Sequence, residues 1–424
     1  MDRKNTIICH IDVNSAFLSW TAAYRINILG HKLDLRTIPA VVGGDEEARR
    51  GIVLAKSVPA KQYGIHTGEP LFQARQKCPK LVIVPPDYEL YVHASRQMIR
   101  LLRDIAPKVE QYSIDEAWID LTGTEGLYGP PVLTAEWIRN RIRDELGFTV
   151  NIGVSSNKLL AKMASDFQKP DRVHTLFPEE IPIKLWPLPV RELFYVGPAT
   201  EKKLHGMGIT TIGQLAAADP ERLRRRFHHH GLVIWEFANG RGSNLLEEVP
   251  DQNKSYGNST TTSQDVTDSE TARCILLGLC ETVGMRLRKD GQQGSCVSVN
   301  IRSNTFTNMG QQMQLSTPTC ATLEIYRAAC RIFDRLWDGR TPLRQMGVAI
   351  SHLTGPGDWQ PSLFQTAAPE KLAQADAVID QLRQRFGENA IIRASLLQGG
   401  RAMAGGAAKE RRTGLTKPLP EEMQ

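Results

Sequence analysis

Apolar residues in this chain gather into short β-rich runs separated by stretches of helical spacing, and the balance between the two changes several times. Over residues 1 to about 170, the runs TIICHIDV, IPAVVGG, GIVLA, LVIVPP and TVNIGVS read as buried strands. Between them, LYVHASRQMIRLLRDIA and TAEWIRNRIRDELG place apolar residues three and four apart, which predicts amphipathic helices. Together they predict a layered α/β or α+β domain. From 171 to 240 the pattern is almost wholly helical, with short turns at VGPA and GMGI. Residues 241–252 are polar, carry Gly, Ser and Pro, and read as a linker. From 253 to 358, helical ETARCILLGLCETVGMRLRKDG and TLEIYRAACRIFDRLWDG alternate with strand-like SCVSVNIRSN and RQMGVAISHL, a βαβ-like content that predicts a second α/β sandwich. The tail, 359–424, holds QPSLF, a helix at about 369–386 and a Gly-, Ala- and Lys-rich end expected to be disordered.

Composition narrows the setting. With 424 residues, 41% of them hydrophobic, the chain is long enough for several cores. No run reaches the length of a membrane helix, and MDRKNTII lacks the apolar core of a signal peptide, so a cytoplasmic protein without a membrane partner is expected. Seven cysteines with no CxxC pair point to reduced thiols rather than a disulfide frame or a zinc site. The net charge of +6 leans towards an anionic partner, but its distribution has to decide.

Candidate chemistry begins at YSIDEAWIDLTG, where Asp115 and Glu116 stand side by side in an apolar strand pattern. Buried carboxylates need a cation, a metal or a hydrogen-bond network; the alternative is a solvated turn. A third acid, Asp12, closes the strand TIICHIDV, and SAFLSWTAAYRI follows as a helix with Ser15 at its N-cap and Phe17, Trp20 and Tyr24 at helical spacing. An acid at a strand end before a helix N-terminus offers a metal ligand and free N–H groups together, a combination suited to a metal-bound polyphosphate.

A second signal lies in VGPATEKKLHGMGITTIGQLAAAD. Gly197 and Pro198 open a helix bearing Lys202 and Lys203, and Gly206 and Gly208 mark the turn to another. A helix-hairpin-helix of this form grips a DNA phosphate through backbone N–H groups without reading bases; the alternative is a plain αα-hairpin. Arg222, Arg224, Arg225 and Arg226 in ERLRRRFHHH read equally as backbone contacts or as a solvated face.

DVNSAF, YSIDEAW, GVSSNKLLAKMASDFQKP and VGPATEKKLHGMGI, in this order, resemble the signature segments of the Y-family (translesion) DNA polymerases, over about residues 6 to 352. The resemblance implies a right hand: a palm over 1–28 and 80–170, small fingers over 29–79, a thumb with the helix-hairpin-helix over 171–240, a linker over 241–252 and a little finger over 253–358. It implies that Asp12, Asp115, Glu116 and the carbonyl of Val13 bind two Mg²⁺ ions. It also implies that Phe17 is an aromatic steric gate, whose alternative is a core aromatic. Ser15, Ala16, Lys61 and Lys162 join Phe17 around the nucleotide, and Lys158 has no such counterpart. The fingers depart from the family pattern: Ala55, Val58 and Lys61 replace a Thr, a Tyr and an Arg, so the bidentate guanidinium is lost. The DVN and AKS stretches lean towards polymerase V and plasmid or phage repair polymerases rather than polymerase IV.

QPSLF resembles the peptide by which bacterial polymerases bind the sliding clamp, with Gln360 at the rim and Leu363 and Phe364 in an apolar pocket; the alternative is a loop pinning its own Leu and Phe to the core. The expected protein is a monomeric, low-fidelity, template-directed polymerase acting on primer-template DNA and deoxynucleoside triphosphates. The competing expectation is an inactive accessory relative that binds DNA and the clamp, which the presence of all three acids opposes.

Overall fold

The computed structural model describes residues 6–47, 49, 51–247, 253–355, 368–387 and 390–397. These form two compact units, one from residues 6–43 and 53–247, the other from 44–52 and 253–397. No described helix is long and apolar enough to cross a membrane.

The first unit opens with β1 (Ile8–Val13) and α1 (Ala16–Asn27), then β2 (Ala40–Gly43), β3 (Val53–Lys56), α2 (Val58–Gln62), α3 (Leu71–Lys77) and β4 (Val82–Val84). It continues through α4 (Tyr88–Arg103), β5 (Lys108–Gln111), β6 (Glu116–Asp120), α5 (Glu125–Tyr128), α6 (Pro131–Arg141), β7 (Val150–Ser155), α7 (Lys158–Asp166) and β8 (Val173–Thr175). Five strands make one sheet in the order β5-β6-β1-β7-β8. Strand alternation divides its residues between two faces. Cys9, Ile11, Ala117 and Ile119 join the core with Tyr91, Met98, Leu102 and Ile138 of α4 and α6. On the other face His10 and Trp118 bond to α7, through the Ser165 hydroxyl and the Lys158 carbonyl. This second face carries the acids. A Cβ on Gly153 of β7 would lie 1.9 Å from the Ala161 carbonyl oxygen, so glycine is what lets α7 pack this close.

Three boundaries differ from the sequence expectation. β4 pairs in parallel with β2, so residues 82–84 belong with the small sheet β3-β2-β4 rather than with the palm. β8 extends the large sheet beside β7, so the helical module starts later than residue 171; the short run VHT carries too little pattern to announce a strand. Residues 44–52, expected within the fingers, group with the second unit.

Beyond β8, α8 (Pro198–His205), α9 (Ile212–Ala216), α10 (Pro220–Phe227) and α11 (His229–Ala238) surround a core shared with α7, which includes Leu160, Met163, Leu185, Leu204, Leu215 and Ile234. The described part of the expected linker is pinned to this unit: Lys158 N–H donates to the Ser243 carbonyl at 3.0 Å, and Glu247 N–H to Glu110 Oε2 at 2.8 Å.

The second unit contains β9 (Ser255–Val266), α12 (Ser269–Lys289), β10 (Gln293–Ser303), β11 (Asn308–Thr319), α13 (Thr322–Leu336), β12 (Leu343–Thr354), α14 (Ala368–Phe386) and α15 (Ala394–Leu397). Its strands run β11-β10-β12-β9, antiparallel at every pairing. The βαβ-like content takes the split form: α12 and α13 each join strands that point the same way, with one antiparallel strand between them. Leu276, Val283, Ile325, Ile332 and Phe333 of the two helices pack on Val297, Val299, Val348 and Ile350 of the sheet. Gln360, Leu363, Phe364 and the Gly-, Ala- and Lys-rich end lie outside the described residues.

Candidate active site

β1 and β6 set the acids face to face: in their antiparallel register Asp12 stands directly opposite Glu116. Asp115 is held one residue before β6, and its backbone carbonyl accepts from Val13 N–H at 3.1 Å. The hairpin turn is fixed by Ser113, whose Oγ donates to Asp115 Oδ1 at 2.7 Å and accepts from Glu116 N–H at 3.1 Å. The three carboxylates thus converge at one corner of the sheet.

Like charges opposed across a ladder repel, and partial burial adds a desolvation cost. Burial pushes the Asp12 carboxyl above its ordinary range, with Lys169 opposing, and burial does the same to Asp115 against the Ser113 hydrogen bond. Glu116 goes the other way. Burial would raise it, but the His10 contact and the neighbouring Lys162 outweigh that and hold it at about 2.

Two lysines of the α7 region supply the positive charge. Lys169 Nζ donates to Asp12 Oδ2 at 2.6 Å and pairs with Asp166 at 2.8 Å. Lys162 Nζ, buried on α7, donates to Glu116 Oε2 at 2.9 Å. Behind Glu116 sits His10, fully buried, with Nδ1 2.9 Å from Ser165 Oγ and Nε2 3.4 Å from Glu116 Oε2. Lys158, one turn before Lys162, is engaged by Glu110 at 2.6 Å. Among the described residues no three His, Cys, Asp or Glu side chains are grouped as a metal-holding cluster, and the lysines lie against the acids.

A buried amide pair ties the helix start to the Lys169 loop. Asn14 Nδ2 donates to Asn151 Oδ1 at 3.1 Å and Asn14 Oδ1 accepts from Asp171 N–H at 2.9 Å. Asn151 Nδ2 donates in turn to the carbonyls of Ser165 and Gln168. Ser15 occupies the N-cap position of α1 in the left-handed region, φ 49°, and its side chain makes no capping bond, which corrects the expectation of a side-chain cap. Ala16 is buried and Phe17 half-buried, stacked on Tyr91 with centroids 4.4 Å apart. Lys61 is exposed on α2 and close enough to Lys56 to lower the latter's pKa, after the larger effect of burial.

Gly197 caps α8, Lys202 and Lys203 are exposed, Gly206 ends the helix and Gly208 takes φ +79° in the turn that follows. Arg222, Arg224, Arg225 and Arg226 are exposed along α10. Sequence reasoning missed Lys169, Ser113, His10 and Asn151. All four lie within stretches already singled out for other residues, but nothing in their spacing shows which acids or carbonyls they meet.

A five-stranded sheet, antiparallel except where β8 runs parallel to β7, with three converging carboxylates, backed by lysines and followed by a helix-hairpin-helix, defines a nucleotidyl-transferring palm of the polymerase kind. Known families agree. Residues 11–166 match the impB/mucB/samB family, 253–363 its C-terminal domain and 178–209 the IMS family HHH motif. DNA polymerase IV of Clostridium acetobutylicum is 44% identical over 393 residues, covering 92% of this chain and 98% of that one. DNA polymerase IV of Moorella thermoacetica is 39% identical, covering 88% and 93%. A solved Y-family DNA polymerase chimera, Dbh-Dpo4(243-245)-Dbh, superposes with a TM-score of 0.69 at 22% identity, over 82% of this chain and 99% of its own.

The chain belongs to the Y-family, the translesion DNA polymerases, and is a DNA-directed DNA polymerase. Both relatives carry the polymerase IV name, which corrects the lean towards polymerase V: two short stretches weigh less than agreement along almost the whole chain.

Proposed function

We propose that the chain extends a primer 3′ end with deoxynucleotides by two-metal phosphoryl transfer, at low fidelity, during tolerance and repair of DNA damage in the cytoplasm. The observation that carries this reading is the pairing of Asp12 with Glu116, like charges set opposite each other with Asp115 beside them. The donors are hard oxygens, as Mg²⁺ prefers, and a divalent cation would relieve the burial that lifts Asp12 and Asp115, so the residues fit the metal. Asp12, Asp115, Glu116 and the Val13 carbonyl would hold the ions. When bound, two Mg²⁺ lower the pKa of the primer hydroxyl and neutralise the triphosphate.

The chain's own groups do the remaining work. Lys162 stays behind Glu116 and keeps its carboxylate ionised and oriented. Lys169 is more exposed and can turn from Asp12 and Asp166 to a phosphate, so we assign it the triphosphate contact first expected of Lys162. Backbone N–H groups of Ser15 and Ala16 face the same anion from the start of α1, with Lys61 and Lys56 on the small sheet's side. Phe17, braced flat on Tyr91, gates the ribose. The five-stranded sheet is then the palm, the three-stranded sheet the fingers, α8–α11 the thumb and the second unit the little finger. Gly197, Lys202, Lys203, Gly206 and Gly208 hold the DNA backbone.

Primer extension on undamaged and lesion-bearing templates tests the reading, with Asp115→Ala and Glu116→Ala as controls. Both variants should keep DNA binding and lose incorporation by roughly a hundredfold or more. Substantial incorporation by both removes the acids from the mechanism.

A further inference from the structure

Two tyrosines beside the acids stay open to solvent while everything around them is braced. Tyr112 lies three residues before Asp115, its N–H donates to the Glu116 carbonyl at 3.0 Å, and the residue is 43% exposed. Its ring stands edge-on to both Trp118 and Phe194, with centroids 4.8 Å and 6.5 Å away. Tyr195 is 56% exposed and lies two residues before Gly197. Its ring meets Phe194 at 4.7 Å and Phe237 at 5.6 Å, each nearly perpendicular. Lys162, which holds Glu116, places its Nζ 5.5 Å from the Phe194 ring centre, so this aromatic row begins at the acids and ends at the helix-hairpin-helix.

The inner rings of this row, Phe194 and Phe237, pack on the core beneath, but Tyr112 and Tyr195 are left largely exposed. Tyr195 also holds φ 73°, a left-handed conformation that costs a bulky side chain energy and persists only where the surrounding structure enforces it.

We propose that Tyr112 and Tyr195 form a shelf that positions the 3′-terminal nucleotide of the primer strand. This rests on the polymerase reading above. A strand whose backbone is gripped at Gly197 and whose 3′-hydroxyl reaches Asp115 and Glu116 has to pass the two rings that lie between. The occupant is a nucleotide because the surroundings combine cationic lysines with flat aromatic faces, on which sugars and bases stack without regard to sequence. Tyr112 and Tyr195 are positioning residues: they set the primer end and touch neither the triphosphate nor the metals.

The test uses the full chain with a primer ending in 5-iododeoxyuridine, irradiated in the binary complex and mapped by mass spectrometry. Crosslinks should fall on Tyr112 or Tyr195. In steady-state incorporation, Tyr112→Ala and Tyr195→Ala should raise the KM for primer-template by about tenfold, the KM for nucleotide should move less than about twofold, and Tyr→Phe at either position should restore most of the loss. Folding of each variant is checked by its melting curve. Crosslinks that map elsewhere on active wild-type protein overturn the proposal, as do folded Ala variants with an unchanged KM for primer-template. Should Asp115→Ala retain activity, the polymerase-site reading fails instead, and the crosslink map still decides the shelf.

Discussion

Phe17 shows how one side chain serves two demands. It packs on Tyr91 at 4.4 Å, near Trp20 and Tyr88, yet remains half-buried at the start of the helix that follows Asp12. The sequence left gate and core as alternatives, and the geometry permits both, because one face of the ring is stacked while the residue is not fully enclosed. Phe17→Ala should therefore cost about 2 kcal/mol of stability and also raise ribonucleotide use relative to deoxyribonucleotide by roughly tenfold or more. Phe17→Leu, which keeps most of the packing, separates the effects: discrimination should still fall while the melting temperature stays near wild type. Unchanged discrimination in a folded Phe17→Ala variant ends the gate assignment. The three acids were legible because carboxylates in an apolar run demand a cation. Lys169 was not, since its partner Asp12 lies 157 residues away in sequence and only the fold brings them together.

Among the elements, strands with an apolar face could be read and polar edge strands could not. β10 and β12 lie in the middle of their sheet and show alternating Val and Ile; β9 and β11 are its edges, and SYGNSTTTSQDV or NMGQQMQLSTPT reads as loop. Helix α13 hides a dependence of another kind. Its N-cap is Ala321, whose side chain cannot cap, and the Thr322 N–H is satisfied instead by Asp376 of α14 at 2.7 Å. The same carboxylate pairs with Arg393 at 2.6 Å and Arg288 at 3.4 Å, while Glu281 joins Arg383 and Arg393. No sequence spacing reveals such a cap, because the capping group is supplied from another helix. Asp376→Ala should remove the cap and leave buried guanidinium charge under-compensated, destabilising the second unit by about 2–3 kcal/mol in denaturant unfolding. If that variant unfolds like wild type, α14 contributes little to holding α13.

At the scale of the whole chain, the order of segments was legible because the residues that each contributes to a hydrophobic core leave a pattern in the sequence, even where neighbouring segments share that core. Partner sites outside the cores leave only short motifs. QPSLF is the clearest: it falls after β12 ends at Thr354 and before α14 begins at Ala368, and the matched C-terminal domain ends at residue 363 within it. We propose that Gln360, Leu363 and Phe364 bind the sliding clamp. Pro361 favours an extended backbone, and the affinity of so short a peptide has to rest on one or two apolar anchors entering a pocket. Phe364→Ala should weaken clamp binding by roughly 2 kcal/mol or more, measured by titration against the clamp, and leave distributive extension without the clamp almost unchanged. If Phe364 packs on its own domain instead, the variant should melt earlier and bind DNA less tightly whether or not the clamp is present. Intact clamp binding by a correctly folded Phe364→Ala protein excludes the motif.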